Sequence, residues 1–224
     1  MMAAPELTLE QAGGFTLPTL WLRAKPGGPL VLIAQPLFEE QNRCRRFLAQ
    51  LGRALSERGI ATAMPDLPAA GDHPDLGPFS FAQAQSALAA FSAATAPALT
   101  VSLRAGALLV ETTAPHTAIA PIERGERILS GLLRTHAVME KERTGKPFTR
   151  KAAEAAWSRN ETLTLAGYPI TAETAAALTR AQSTAGTSLG AASLSLPPLW
   201  NQAEPVDAAA AASAAADAIA ETLS

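Results

Sequence analysis

The chain has few of the residues that mark an exported or membrane protein. It has one cysteine, Cys44, so no intrachain disulfide can form, which is typical of a reducing compartment. No apolar run reaches the roughly 18 residues that a membrane-spanning helix needs, so we expect no membrane span. The start of the chain, Met-Met-Ala-Ala-Pro, has neither the basic nor the apolar region of a signal peptide. These features predict a cytoplasmic location.

An excess of charge of either sign is also absent. The sequence has 18 Lys and Arg against 20 Asp and Glu, a formal net charge of -2. It therefore lacks the basic surface that nucleic acid requires, and we expect no nucleic-acid partner. No histidines and cysteines recur at the spacing of a zinc site, so we expect no metal and no other cofactor. The oligomeric state is left open by the sequence.

Short apolar runs alternate with amphipathic segments along the first half of the chain. The predicted order is strand 30–34, helix 43–58, strand 60–64, helix 81–93 and strands 98–102 and 116–120. Asn42 is the predicted N-cap of the first helix. Alternation of this kind indicates an α/β fold with a mostly parallel sheet and helices on both faces. The length suits one domain over residues 1–224.

The pattern changes between residues 123 and 182, where charged helical segments follow one another. Helices are predicted at 127–143, 151–157 and 171–180, with a short strand at 161–166. We interpret this block as a helical cap inserted into the domain over the carboxyl-terminal edge of the sheet. A terminal helix is predicted at 207–223.

Residues 102–106 follow a buried strand, precede a helix predicted to begin at Gly106, and fit the frame of the nucleophile elbow Gly-x-Ser-x-Gly. Arg104 occupies the position of the nucleophile. A guanidinium stays protonated in proteins and has no free lone pair with which to attack a carbonyl. Ser102 is predicted to lie in the strand rather than in the turn, so it does not replace the nucleophile.

The histidine of a hydrolase triad is also missing from its place. In α/β hydrolases the histidine comes last, after the nucleophile and the acid. The three histidines are His73, His116 and His136, and none follows the predicted cap. The sequence therefore does not predict a Ser-His-Asp hydrolase.

Arg104 has two interpretations at the edge of the sheet, where α/β folds bind ligands. As a planar fork it could bind the carboxylate or phosphate of a substrate. Alternatively, it forms a structural ion pair with Glu39 or Glu40, because a buried arginine needs a partner. The two interpretations are compatible.

Glu39 and Glu40 follow the first core strand, where hydrolases place an oxyanion-binding loop. Two acids there would repel a developing oxyanion, which argues against acyl transfer. They are nevertheless the candidates for proton transfer, although a nearby Arg104 would favour their ionised form. The alternative is that one pairs with Arg104 and the other stabilises the start of the helix after Asn42. Tyr168 either lines a pocket under the cap or closes a hairpin.

Two further features, a possible metal-binding group and a cysteine, have two interpretations each. Asp66, Asp72 and His73 could hold a metal, but Asp66 after Pro65 is more simply a turn residue. Cys44 stands between two arginines, which could make it reactive, or it is a small buried core residue. We favour the structural interpretation for each of them.

Several motifs resemble one family. The stretch 34–46 contains Pro36, Phe38, Glu39, Glu40, Asn42, Arg45 and Arg46. Met64-Pro-Asp-Leu-Pro-Ala-Ala-Gly-Asp72, Leu103-Arg-Ala-Gly106 and Leu165-Ala-Gly-Tyr-Pro-Ile170 follow in order, with a weaker match at Pro197-Pro-Leu-Trp200 and Glu204. Together they resemble the exosortase A system-associated hydrolases, type 2.

The resemblance implies an α/β-hydrolase fold and a role in an exosortase-linked exopolysaccharide pathway. Together with the elbow frame, it favours an acyl, sugar or sugar-phosphate ligand. The expected binding site includes Arg104, Glu39, Glu40, Asn42 and Tyr168. Two hypotheses remain open, a hydrolase-like protein without a serine triad and a non-catalytic binding or scaffold protein. Two departures from the family are Ser102 in place of the elbow's first glycine and a short segment 181–196, which could remove a late strand.

Overall fold

The computed structural model describes residues 4–24, 26–70, 73, 77–111 and 113–224. The strands are β1 (Pro5–Ala12), β2 (Phe15–Leu22), β3 (Leu30–Ala34), β4 (Ala61–Pro65), β5 (Leu99–Leu103), β6 (His116–Ile119), β7 (Leu163–Leu165), β8 (Tyr168–Ile170) and β9 (Thr187–Leu189). The helices are α1 (Glu39–Glu57), α2 (Phe81–Thr95), α3 (Glu126–Thr144), α4 (Arg150–Ser158), α5 (Ala172–Arg180) and α6 (Ala209–Thr222), with 3-10 turns at Arg104–Leu108 and Leu199–Asn201.

Seven strands form the main sheet, in the order β1-β2-β4-β3-β5-β6-β9. The β1–β2 hairpin joins the sheet through an antiparallel β2–β4 pair. From β4 to β9 every neighbouring pair is parallel. This arrangement confirms the predicted α/β-hydrolase-like fold class with a mostly parallel sheet.

Helices cover both faces of the sheet. On one face, Phe47 and Leu51 of α1 and Ile219 of α6 pack against β3, β5 and β6 in one apolar cluster. On the other face, Leu88 and Phe91 of α2 form a second cluster. The structure describes no helix that is long and apolar enough to cross a bilayer.

Cys44 lies within the first of these clusters and is fully buried. Burial raises the pKa of its thiol to about 12, with Glu40 adding to the effect. Since the thiolate is the reactive form of cysteine, Cys44 is a core residue and not a reactive group.

The prediction that Asn42 caps a helix over 43–58 is wrong. The helix α1 begins at Glu39, its N-cap is Phe38 with φ 57°, and Asn42 is an exposed residue within it. The acidic side chains of Glu39 and Glu40 favour the earlier start, because the first turn of a helix carries a partial positive charge. The helix therefore places both glutamates at its amino end, next to the carboxyl end of β3.

The elbow is followed by a single 3-10 turn and not by the predicted helix starting at Gly106. Residues 104–115 make the whole crossover from β5 to its parallel neighbour β6, which leaves little chain for a helix. The turn packs tightly on β3. A Cβ on Gly106 would lie 2.3 Å from the carbonyl oxygen of Ala34 and 2.5 Å from that of Gln35.

Between β6 and β9 the chain forms a separate apolar cluster from α3, α4, the β7–β8 hairpin and α5. Its two ends meet in an antiparallel bridge between Arg124 and Gln182, and the Ser183 amide donates to the Glu123 carbonyl. We call residues 123–182 the cap block. Its status as an insertion in a single domain, residues 1–224, stays a prediction.

The short segment 181–196 supplies a strand. Its residues Thr187–Leu189 form β9, which pairs in parallel with β6 at the edge of the sheet. The chain then returns across the first apolar cluster through Leu194, Leu196 and Leu199 to reach α6.

Gly106→Ala is expected to lower the free energy of unfolding by about 1–3 kcal/mol, since the added methyl group would overlap backbone oxygens that cannot move independently. Gly186→Ala is the matched control, because its Cβ would approach no atom closer than the His116 carbonyl oxygen at 3.9 Å. Urea denaturation measures both. Equal midpoints for the two variants would contradict the tight packing of the elbow on β3.

Candidate functional site

The site lies where β3 and β5 end side by side. Because the two strands are parallel neighbours, the amino end of α1 and the elbow emerge at the same edge of the sheet. A cleft of about 1290 Å³ separates this edge from the cap block. Its charged and aromatic walls are Phe38, Glu39, Glu40, Arg43, Arg104, Arg124, Glu126, Arg127, Arg134, Tyr168 and Trp200.

Arg104 and Glu40 form a two-pronged ion pair on the floor of the cleft. The Arg104 Nε donates to Glu40 Oε2 at 3.1 Å, and Nη2 donates to Oε1 at 3.0 Å. The side chains are 17% and 22% exposed, so water screens the pair only in part. Arg104 has a φ of 53°, in the left-handed region that non-glycine residues enter at a cost of about 1–2 kcal/mol. The elbow geometry thus persists with an arginine in it.

Trp200 covers the same guanidinium. The Arg104 Cζ lies 3.9 Å from the centre of the indole ring, a cation–π contact. The Arg104 Nη1 also donates to the carbonyl oxygen of Ala120 at 3.3 Å. Arg43 holds the tryptophan in turn, because its Nη1 donates to the Trp200 carbonyl oxygen at 3.0 Å. Arg104 is therefore restrained by Glu40, Trp200 and Ala120 together.

Glu39 and Tyr168 face the cleft beside this pair. Glu39 accepts from Arg43 Nε at 3.4 Å and lies 3.5 Å from the Tyr168 hydroxyl. The Tyr168 ring meets Phe38 edge-on at 5.0 Å. Burial raises the pKa of Tyr168, with the Glu39 charge acting in the same direction. The residue both begins β8 and lines the cleft, so its two interpretations coexist.

Asn42 is not among the residues that line the cleft. It is exposed on α1 one turn beyond Glu39. Of the five predicted site residues, the structure therefore brings four together, Arg104, Glu39, Glu40 and Tyr168.

A buried amide network supports the same edge of the sheet. Gln41 Nε2 and Gln35 Nε2 both donate to Asp66 Oδ1, at 3.1 and 3.0 Å. Asp66 is buried at 9% exposure directly after β4, and Gln35 directly follows β3. Their hydrogen bond therefore joins the ends of the two strands. Among the described residues no group of three His, Cys, Asp or Glu side chains is close enough to hold a metal ion. Asp72 lies outside the described residues.

None of the three histidines lines the cleft. His116 Nε2 is 2.8 Å from Ser102 Oγ, and that serine is fully buried within β5. His73 Nε2 lies 3.1 Å from the Thr16 carbonyl oxygen, and His136 packs edge-on against Phe148 at 4.5 Å. The Ser102–His116 pair is thus a contact between β5 and β6 within the sheet, and neither residue lines the cleft.

Several residues that line the cleft were not predicted as site residues, among them Trp200, Arg124, Arg127 and Arg134. Trp200 stood only in a weak motif, although it contacts Arg104 directly. The three arginines lie within the block 123–182 that was predicted as the cap. A seven-residue spacing between two of them on a helix was the one available signal, because it places both on the same face.

No family model and no curated protein matches the chain. It is similar to a solved structure of DcsB with a substrate analogue, at 13% identity and a TM-score of 0.47, over 80% of this chain and 74% of that one. A bacterial membrane phospholipase A matches at 17% identity and 0.42, over 54% and 41%. Epoxide hydrolase A from Mycobacterium thermoresistibile matches at 16% and 0.39, over 58% and 45%.

The chain thus spans less than half the length of the phospholipase and the epoxide hydrolase. At these identities and TM-scores the similar structures indicate no activity for this protein. Its fold class rests on its own strand order.

Acidification is expected to destabilise the protein through His116. Burial lowers the pKa of His116 from 6.5 to about 4. Between these two values the imidazole is protonated in the unfolded chain and neutral in the folded state, so acid favours unfolding. The free energy of unfolding should fall by up to about 3 kcal/mol between pH 6.5 and 4. Denaturant titrations across this range measure the slope. His116→Gln should flatten it and His136→Gln should leave it unchanged; an unchanged slope in His116→Gln would contradict the assignment.

Removing one member of the ion pair is expected to be worse than removing both. Arg104→Met leaves the Glu40 carboxylate half-buried without its partner and should lower the free energy of unfolding by about 2 kcal/mol. Adding Glu40→Leu should restore at least half of that loss. The coupling is read from a double-mutant cycle in urea, and additive effects would show that the pair is not energetically linked.

Proposed function

We propose that this protein is a pseudo-hydrolase, an α/β-hydrolase-like chain that binds a small anionic sugar or acyl ligand in the cleft without acyl-transfer chemistry. One observation carries the proposal. The elbow side chain is an arginine that is closed on Glu40 and stacked on Trp200 within an open cleft.

The ion pair of Arg104 with Glu40 and its contact with Trp200 argue against nucleophilic catalysis at the elbow. A hydrolase needs a nucleophile there and an imidazole delivered by a later part of the chain. Here the segment after β9 places Trp200, and not an imidazole, against the elbow residue. Trp200 stacks on a permanently charged guanidinium, which can neither accept a proton nor attack a carbonyl. Ser102 cannot substitute, since it is fully buried in β5.

The open cleft speaks against a purely structural role. The cleft has a volume of about 1290 Å³, above the roughly 300–1,000 Å³ that is usual for a small-molecule site, and it combines apolar walls with convergent polar groups. A scaffold that had lost all ligand binding would not need to hold Arg104, Tyr168 and Trp200 around a space of this size. The ligand-binding function therefore accounts for both the ion pair and the cavity.

An anion can join the ion pair without displacing Glu40. A guanidinium has five N–H groups, and Arg104 directs three of them at Glu40 and Ala120. The remaining two are available to a carboxylate or phosphate. Arg104 would then orient the ligand while Glu40 keeps the arginine in position.

A hydrolase-like enzyme that uses Glu39 is the second candidate. Its side chain is 57% exposed, and Tyr168 and Arg43 contact it at the cleft wall. Glu40 is less suited to proton transfer because both of its oxygens accept from Arg104. Glu39 is thus the carboxylate of this pair with more freedom to approach a ligand.

The biological setting is part of the proposal and is supported by the sequence resemblance. The motifs at 34–46, 103–106 and 165–170 supply Glu40, Arg104 and Tyr168, which meet in the cleft. We therefore propose a role in an exosortase-linked exopolysaccharide pathway, with a cytoplasmic location and a ligand that carries a sugar or acyl group.

The purified protein is expected to hydrolyse p-nitrophenyl acetate and butyrate no faster than a buffer blank, and to retain a small ligand in native mass spectrometry. Trp200→Leu should release that ligand, because it removes a wall of the cleft. Trp157→Leu is the matched control, since Trp157 belongs to the cap block and does not line the cleft. Ester turnover above the blank that Glu39→Gln abolishes would overturn the pseudo-hydrolase and support the enzyme.

A further inference from the structure

We infer that three arginines of the cap block, Arg124, Arg127 and Arg134, form a phosphate subsite, so that the ligand of the cleft is a phosphate ester or diphosphate. The inference rests on the proposed function, because it names the chemical class of the ligand that the cleft binds. We call the three residues the arginine row.

The charges within the cleft divide into paired and unpaired groups. Each glutamate of the cleft has an arginine partner: Glu40 has Arg104, Glu39 has Arg43, and Glu126 has Arg150 at 3.2 Å. In the described part of the chain no carboxylate oxygen lies within 4.0 Å of a guanidinium nitrogen of the arginine row. Three positive charges therefore face the cleft uncompensated.

Helix α3 also carries an arginine outside the cleft, and that arginine has a carboxylate partner. Arg143, in the last turn of α3, pairs with Glu140 at 2.8 Å and does not line the cleft. Arg150 and Arg159 of the cap block are likewise paired. Arg180, in the last turn of α5, also has no carboxylate partner among the described residues and does not line the cleft. The arginine row is therefore distinguished by three unpaired arginines that line one cavity.

The geometry of the arginine row suits an extended anion. Arg127 and Arg134 are seven residues apart, so they lie on one face of α3 about 10.5 Å apart along its axis. Arg124 precedes the helix and is positioned by its backbone bridge to Gln182. A single carboxylate would engage one of these forks, whereas a phosphate or diphosphate offers enough oxygens and charge for several.

Gly131 lies between Arg127 and Arg134 on the cleft side of α3. A glycine in the middle of a helix is unfavourable relative to alanine, so its presence needs a reason. Packing is not that reason, because a Cβ built on Gly131 would have no heavy atom within 4 Å. The glycine instead leaves open space between the two guanidinium groups, which is where a phosphate would approach the helix.

Aromatic side chains line the same cleft and can contact the rest of the ligand. They are Phe38, Tyr168 and Trp200. A phosphate held by the row would leave the attached group within the cleft that these rings and Arg104 line. The site as a whole fits a phosphorylated small molecule with a body of sugar or acyl size.

Isothermal titration calorimetry with inorganic pyrophosphate tests the inference directly. The wild-type protein is expected to bind it at low salt, and the double variant Arg127→Gln with Arg134→Gln should bind at least about tenfold more weakly, since each charge-assisted hydrogen bond is worth roughly that factor. Arg143→Gln, on the same helix outside the cleft, should bind like the wild type.

A second variant separates loss of the site from loss of the fold. Gly131→Leu fills space on the helix face between Arg127 and Arg134 while keeping every charge, and its open surroundings predict a thermal midpoint no lower than that of the wild type. It should also weaken pyrophosphate binding at least about tenfold if the phosphate approaches there. Normal binding by this variant and by the double glutamine variant would overturn the subsite.

Two further arms identify the source of the phosphate and separate the two proposals. Glucose 1-phosphate should compete with pyrophosphate in an arginine-dependent manner. Binding to vesicles of phosphatidylcholine and phosphatidic acid, without binding of pyrophosphate, would overturn the small-molecule class. A co-purified ligand that Trp200→Leu releases but the double glutamine variant retains would refute the arginine row alone, whereas no ligand and no effect of any cleft variant would refute the proposed function as well.

Discussion

The arrangement of the site depends on one electrostatic constraint, the permanent positive charge of Arg104 at the elbow. A guanidinium that is only 17% exposed must have an acceptor, and Glu40 supplies both of its oxygens from the first turn of α1. The pair therefore requires α1 to begin at Glu39, beside the carboxyl end of β3. It also joins the two crossovers that follow β3 and β5, which pack against each other at Gly106 and in one apolar cluster.

The remaining parts of the cleft are arranged around this pair. The late segment after β9 brings Trp200 over the guanidinium, and Arg43 holds that segment in position. The two ends of the cap block meet at the bridge between Arg124 and Gln182, and α3 lines the cleft at the same edge of the sheet. At the position that the nucleophile-elbow frame gives to the nucleophile, this fold thus holds a fixed cation.

Much of the fold was predictable because it depends on local periodicity. Apolar runs located the strands β3 to β6, and the spacing in α1 and α2 identified helices that bury one face. The errors arose where a local signal competed with the surroundings. Asn42 is a good capping residue, yet the helix starts earlier because Glu39 and Glu40 favour its first turn. The expected helix after the elbow is reduced to a 3-10 turn, because few residues connect β5 to β6.

The residues alone establish that the elbow carries an arginine and that no histidine follows the predicted cap in this sequence, since both are matters of residue identity and order. They also limit the expected partners of Arg104 to two adjacent glutamates. The choice between the two follows from the folded structure, because it depends on which side chain of α1 points across the end of β5. The positions of Trp200 and the arginine row in the cleft likewise follow from the folded structure. They depend on contacts between segments about 70 to 100 residues apart, which are set by the strand order and by the bridge between Arg124 and Gln182. Local sequence patterns do not encode such contacts.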